Sequence, residues 1–233
     1  MEKKEIEKEG KKIIISKDGP YLVSGKIRLK KEVIVCDNQG FPIRWEKGKE
    51  YDVTKDYALC RCGHSCNKPF CDKTHIKIKF DGVETAKKSY MNDFEKIEGP
   101  ELELNDYYDL CASARFCKRL GGIWELTKKS GNPEAKKTAI QQACDCPSGR
   151  LVILDKKTDK IIEPNFSPSI SVTEDPYRKI SGPLWVKGKI QVDSADGGTY
   201  EKRNRVTLCR CGKSKNKPFC DGAHVEINFN EKS

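Results

Sequence analysis

No apolar run in the 233-residue sequence approaches the roughly 18 residues that a membrane span requires, so no membrane association is expected. The N-terminal stretch MEKKEIEKEGKK is too charged to supply the apolar centre of a secretory signal. The formal net charge is +10, yet the basic residues are scattered in pairs such as Lys30–Lys31, Lys87–Lys88 and Lys136–Lys137. They build no basic block and have no aromatics interleaved with them, which argues against nucleic acid as a partner. Also missing are a phosphate-cradling Gly loop, a nucleophile–base constellation and a paired-carboxylate motif, so the chain does not read as an enzyme. Histidine is scarce, with only three in the chain.

Cysteine is the opposite case. Twelve cysteines far exceed what packing needs. A disulfide framework belongs to small secreted scaffolds, and without a secretory signal a reducing, cytoplasmic setting with thiolates committed to metal fits better.

The chain also repeats itself. Gly19-Pro20-Tyr21-Leu22-Val23-Ser24-Gly25-Lys26-Ile27 answers to Gly182-Pro183-Leu184-Trp185-Val186-Lys187-Gly188-Lys189-Ile190, each read as a Gly-Pro turn followed by a strand. Forty residues separate Pro20 from Cys60, but only 26 separate Pro183 from Cys209. The extra length in the first copy is placed in a hairpin around Val33–Cys36 and Phe41–Ile43. Two copies are too few for a solenoid and point to a pair of packed half-domains, a pseudo-dimer within a monomer.

Each copy ends in the same pattern, Cys-x-Cys-x8-Cys-x3-His. The first holds Cys60, Cys62, Cys71 and His75; the second holds Cys209, Cys211, Cys220 and His224. In extended chain, residues two apart point to the same side, so Cys60 and Cys62 can present two sulfurs to one metal. Asp72 is a good helix N-cap, which sets Cys71 just before a helix and His75 in its first turn. Gly63, Asn67 and Pro69 supply the turn that folds one pair over the other, and backbone donors of that loop, with Ser65 or Ser214, can bond the sulfides. Cys66 and His64 do not repeat, since Lys215 and Lys213 replace them, and both read as bystanders. Cys36 reads as a small core residue.

Both segments resemble the CDGSH iron–sulfur motif of the mitoNEET-type (NEET) proteins. The second keeps the pattern through Cys220-Asp221-Gly222-Ala223-His224, whereas the first has Lys73 in place of the glycine, so a requirement for positive φ there would strain the first site. The resemblance implies a [2Fe–2S] cluster on Cys60, Cys62, Cys71 and His75 and another on Cys209, Cys211, Cys220 and His224. Zinc on the same Cys3His sets, in an interaction module, is the alternative. A neutral imidazole in place of one thiolate would put the potentials between those of two-histidine Rieske centres, about −150 to +300 mV, and plant-type ferredoxins, about −400 mV. Protonation of the imidazole competes with the metal, so clusters that loosen below neutral pH are expected.

Between the copies lies Cys111-Ala112-Ser113-Ala114-Arg115-Phe116-Cys117 and, later, Cys144-Asp145-Cys146-Pro147-Ser148-Gly149. Residues six apart lie about 240° around a helix, so Cys111 and Cys117 share a metal only if the chain turns between them. Asn105-Asp106 reads as the cap of a helix through Ala114, and Asn132-Pro133 as the start of a second through Ala143, before a strand over Gly149–Leu154. The segment resembles divergent single-cluster ferredoxin-like domains ending in Cys-Pro-Ser-Gly, with the middle cysteine of the run missing. Cys111, Cys117 and Cys146 alone would suit a [3Fe–4S] cluster; recruiting Cys144 would complete a [4Fe–4S] site.

The expected fold is α+β, with two small β-rich CDGSH units at 13–83 and 179–230 forming an intramolecular pseudo-dimer. An α/β ferredoxin-like segment at 100–158 is inserted between them, followed by a linker at 159–178. The expected role is electron transfer, with a redox protein as partner; the alternative is a cluster donor, store or redox and pH sensor serving a cluster acceptor.

Overall fold

The structure, a computed structural model, describes residues 10–231; most of the charged N-terminal stretch lies outside the described residues. The first unit contributes β1 (Lys12–Ile15), β2 (Tyr21–Ser24), β3 (Arg28–Cys36), β4 (Pro42–Tyr51), β5 (Tyr57–Leu59) and the single turn α1 (Thr74–Lys77). The middle segment contributes β6 (Glu95–Glu98), β7 (Leu102–Asp106), α2 (Ile123–Lys128), α3 (Pro133–Asp145), β8 (Leu151–Asp155) and β9 (Lys160–Ile162). The second unit contributes β10 (Ser169–Asp175), β11 (Ile180–Lys187), β12 (Gln191–Asp193), β13 (Arg205–Leu208) and α4 (Ala223–Glu226).

The two units exchange strands. One sheet runs β12-β1-β2-β5 and another β13-β11-β10-β3-β4. In each, three strands of one unit accept a strand of the other in parallel beside their first, β12 next to β1 and β3 next to β10. Alternating residues such as Ile13, Ile15, Tyr21 and Val23 then meet Ile170, Val172, Leu184 and Val186 in one shared core. The pseudo-dimer is therefore a single interleaved body. The β3–β4 hairpin is the extra material of the first copy, and β4 extends the second sheet at its edge.

The strands differ from expectation in two places. Gly182-Pro183 is no turn: both lie inside β11, every residue of which is buried. Proline is tolerated there because the register with β10 shifts between Val172 and Glu174, and the Thr173 hydroxyl donates to the Pro183 carbonyl at 2.7 Å. Residues 159–178, expected as a linker, contain β9 and the seven-residue β10, which is central to its sheet.

In the middle segment, sheet β6-β7-β8-β9 packs Leu102, Leu104, Leu151 and Ile153 against Ile123, Leu126, Ala139 and Ala143 of the helices. Asn132 Oδ1 caps α3 by accepting from the Glu134 and Ala135 amides, with Pro133 at the first helical position. The helix expected from Asn105-Asp106 does not form. Those residues end β7, because Leu102 and Leu104 alternate on the core face and Asp106 is held in a bidentate ion pair with Arg150. Only a 3₁₀ turn at Tyr108–Leu110 follows.

Candidate metal centres

The two Cys/His segments adopt the same conformation. In the first, the sulfurs of Cys60 and Cys62 are 3.7 Å apart, and Cys71 Sγ lies 3.4 Å from His75 Nδ1. In the second, the separations are 3.6 Å for Cys209–Cys211 and 3.4 Å for Cys220 Sγ to His224 Nδ1. Two sulfurs at 2.3 Å from a tetrahedral metal would be about 3.8 Å apart, so each pair has the bite of one metal. Among the described residues, no three Cys, His, Asp or Glu side chains converge on a single ion. The ligands thus come as two pairs per site, with Nδ1 as the nitrogen facing the sulfur.

Backbone donors surround these sulfurs. The Lys73 amide donates to Cys71 Sγ and the Gly222 amide to Cys220 Sγ, each at 3.4 Å. The contact with Cys62 and the amides of Ser65, Gly63 and Cys62 outweigh the opposing effect of burial and bring the Cys60 thiol down to about 6, while its neighbour Cys62 is raised. Cys209 is likewise lowered, to about 7, and Cys211 raised. Burial holds Cys71 and Cys220 up. The serine hydroxyls are not spare donors: Ser65 Oγ donates to Phe70 O and accepts from the Asn67 amide, and Ser214 Oγ does the same with Phe219 O and Asn216. They lock the loop, and it is the serine amides that serve the thiolates.

Asp72 plays a double part. Its carboxylate accepts from the Thr74 amide and from the Cys66 amide, so it ties the helix start to the loop. The residue between it and the helix is left-handed in both copies, with φ of 70° at Lys73 and 92° at Gly222. Cys66 and His64 are exposed on the loop, and Cys36 is half-buried near Arg115.

Two arginines, placed between the paired cysteines, carry a structural role that the ligand pattern alone does not announce. Arg61, 2% exposed, donates to the carbonyls of Gly19, Gly82 and Ser16; Arg210, 3% exposed, donates to Gly182 O and Thr173 O and pairs with Glu174 and Glu231. Each ties its Cys-x-Cys to the Gly-Pro segment and to the chain beyond the His helix. Their repetition at one place in both copies, alongside the repeated Gly-Pro, is the signal that could have found them.

The two sites abut. A Cβ on Gly63 would lie 2.6 Å from the Cys211 carbonyl oxygen, and one on Gly212 would lie 2.4 Å from that of Cys62. Both glycines have φ near 80°, so this close backbone approach excludes any other residue. Tyr21 adds a one-way link, donating to the carbonyls of Cys209 (2.7 Å) and Pro218 (3.1 Å). Its counterpart in the repeat is Leu184, which has no donor to return.

In the middle segment, Cys111, Cys117 and Cys146 line one cleft with Ala112–Phe116, Ser148 and Arg150. The chain does turn between the first two: Ser113 and Arg115 are left-handed, with φ of 54° and 67°. Pro147 holds Cys146 extended and ends α3 there, which turns its side chain to the cleft. Burial, then the neighbouring Cys146, pushes the Cys117 thiol up to about 12, and Arg150 stands beside Cys111. Cys144 is not brought to this set. It is still on α3 and opens on a different groove, with Trp45, Gln141 and Lys187, where Arg205, Glu163 and Asp145 are its charged neighbours. Of the four cysteines expected at this site, the structure brings three into one cleft and sets Cys144 apart, because the helix ends between Cys144 and Cys146.

This cleft adjoins the second CDGSH site. Ala112, Ser113, Ala114 and Pro147 also line a cavity with His224, and a Cβ on Gly222 would lie 2.4 Å from Ser113 Oγ. Covered in this way, His224 is 5% exposed, and burial with the nearby Arg210 holds its imidazole down at about 4, in the neutral form that can ligate. His75 has no such cover and is half-buried.

Comparison with known families finds two models that match the chain. The model for the iron-binding zinc finger of CDGSH type matches residues 18–76 and 181–225, and the model for a divergent 4Fe-4S mono-cluster matches residues 97–156. No curated protein and no solved structure matches the chain. Among the described residues, no helix is long and apolar enough to cross a membrane. Two segments of the chain thus match the iron-binding zinc finger of CDGSH type, and they flank a segment that matches a divergent 4Fe-4S mono-cluster.

Proposed function

We propose that the protein transfers electrons through three adjoining iron–sulfur sites and carries out no substrate chemistry of its own. The observation that carries this reading is contiguity. The Cys62-Gly63 and Cys211-Gly212 backbones touch, and Gly222 of the second site packs on Ser113 of the middle one. The sites therefore form a series, first to second to middle, with no long gap for an electron to cross.

The paired ligand geometry supports two-iron clusters on Cys60, Cys62, Cys71 and His75 and on Cys209, Cys211, Cys220 and His224, in preference to one zinc ion at each. The middle cleft has three cysteines for a [3Fe–4S] cluster, or for a [4Fe–4S] cluster with one iron held by no protein thiolate. Such clusters supply one-electron chemistry when bound. The chain's own residues ionise and orient the thiolates, aim amides at them and keep water from His224. Arg61 and Arg210 hold the ligand loops rigid through bonds to buried carbonyls.

Protein purified without oxygen tests this reading. The expected result is iron and sulfide at the content of two binuclear clusters plus a three- or four-iron cluster, negligible zinc, and reversible bleaching by dithionite. Colourless protein with stoichiometric zinc would refute it. A second reading, donation of a cluster, is favoured by the half-buried His75 of the uncovered first site; it predicts transfer of iron and sulfide to an apo-ferredoxin from that site alone.

A further inference from the structure

The two CDGSH units have the same ligand geometry and opposite surroundings. On the second, the middle segment covers the histidine face, burying Gly222 and His224. The cluster loop there is also strapped down by residues 84–90. The Thr85 and Ala86 amides donate to Lys217 O, Thr85 Oγ1 to Lys215 O, and Tyr90 OH to Asn216. On the first, no comparable segment covers the equivalent face among the described residues. Ile76 is 67% exposed, and Val83, seven residues on, 61%, whereas Val225, the counterpart of Ile76, is partly covered; Ile78 at 43% is as exposed as its counterpart Ile227 at 45%.

Charge differs in the same place. Residues 72–80, read as DKTHIKIKF, carry a net +2, while the matching 221–229, read as DGAHVEINF, carry −2. Lys73, Lys77 and Lys79 are all exposed, and none forms an ion pair among the described residues. Exposed apolar residues interspersed with lysines that form no ion pair among the described residues, on and just after the turn that carries the half-buried His75, have the make-up of a transient interface with an acidic protein.

We propose that this face of the first unit, formed by Lys73, Ile76, Lys77, Ile78, Lys79 and Val83, is the docking surface for an acidic redox protein. It takes in its partner the place that the middle segment occupies on the second unit. The proposal rests on the electron-transfer reading. One electron passes from the reduced centre of the partner to the oxidised first site, and no bond is made or broken. The exposed lysines steer encounter, and the isoleucines supply the contact once water is displaced.

The test uses the intact, cluster-loaded protein and a reduced plant-type ferredoxin as the acidic probe, followed by stopped-flow absorbance. The diagnostic variant is Lys77→Glu/Lys79→Asn, which installs the residues that the second unit carries at the same positions. Lys157→Glu/Lys160→Asn, on the exposed β8–β9 turn, changes the charge equally and serves as control. Wild-type transfer is expected to slow steeply with salt and to exceed that to basic cytochrome c, measured with the reduced protein as donor. The diagnostic variant should be at least about tenfold slower at low salt with a flattened salt dependence, and the control within about twofold of wild type. Equal loss in the two variants would overturn the proposal, as would salt-independent transfer or faster transfer to cytochrome c, provided dithionite still reduces the protein reversibly. Failure of that direct reduction would overturn the electron-transfer reading and the proposal together.

Discussion

Replacing Gly222 by alanine separates two costs that coincide at this position. The first is conformational: at φ of 92°, an L side chain costs about 1–2 kcal/mol, offset by about 0.4–1 kcal/mol because alanine leaves the unfolded chain less entropy. The second is steric, since the new Cβ would lie 2.4 Å from Ser113 Oγ in a packed contact, and overpacking of this kind costs about 1–3 kcal/mol. The expected total is about 2–4 kcal/mol, read as a shift of the urea midpoint of the loaded protein. Chelator-driven bleaching of the second and middle sites should accelerate with it. Removing the hydroxyl isolates the steric part: with Ser113→Ala, the nearest side-chain atom left is Ser113 Cβ at 3.4 Å, an ordinary contact. The double variant should therefore recover to within about 1 kcal/mol of Ser113→Ala alone. Lys73→Gly, at the uncovered first site, should change stability by about 1 kcal/mol or less. If Gly222→Ala and Ser113→Ala prove additive within about 0.5 kcal/mol, the middle segment is not seated on the second site as described, and the contiguity argument fails.

Tyr21→Phe removes the bonds to Cys209 O and Pro218 O, and should cost about 1–2 kcal/mol and speed chelator-driven bleaching of the second cluster over the first. Arg210→Met leaves two buried carbonyls and two carboxylates without their guanidinium, and should lower the thermal midpoint by about 10 °C or prevent accumulation of folded protein. Cys144→Ala should retain the full iron content, whereas Cys111→Ala, Cys117→Ala and Cys146→Ala should each lose the middle cluster by iron assay. Mixed with a chelator, the wild-type protein should lose its first cluster at least about tenfold faster than its second, since His75 is half-buried and His224 is 5% exposed.

The closeness of each ligand pair was legible because it rests on local spacing, although the N-cap of each helical turn is Lys73 or Gly222 and not the preceding aspartate, which bonds the amide two residues on. The pseudo-dimer was legible from the repeat, but the exchange of β3 and β12 was not, since parallel pairing across 141 and 179 residues leaves no local mark. Asn105-Asp106 looked like a helix cap because the cap residues were right; what outweighed them was an alternating Leu102, Leu104 face and a distant arginine, Arg150. In the sequence Cys144 is close enough to Cys146 to be recruited beside it as a fourth ligand. One proline, by ending the helix between them, sends the two thiols to different cavities.

Lys73 shows how the two copies divide their work. Its presence suggested that the first site is the strained one. The left-handed conformation is indeed shared by both copies, but in the first it opens onto solvent, so a lysine pays only the conformational penalty. In the second the same position faces Ser113 and the Cys111 carbonyl, and nothing larger than glycine fits. The loss of glycine from the motif is therefore permitted where nothing covers the site and forbidden where the middle segment does. Once glycine is no longer required, the position is free to carry charge, and Lys73, Lys77 and Lys79 together turn an uncovered face into a basic one. The departure from the family pattern thus falls at the site that no described segment covers, and strict adherence to it falls at the site closed by the middle segment.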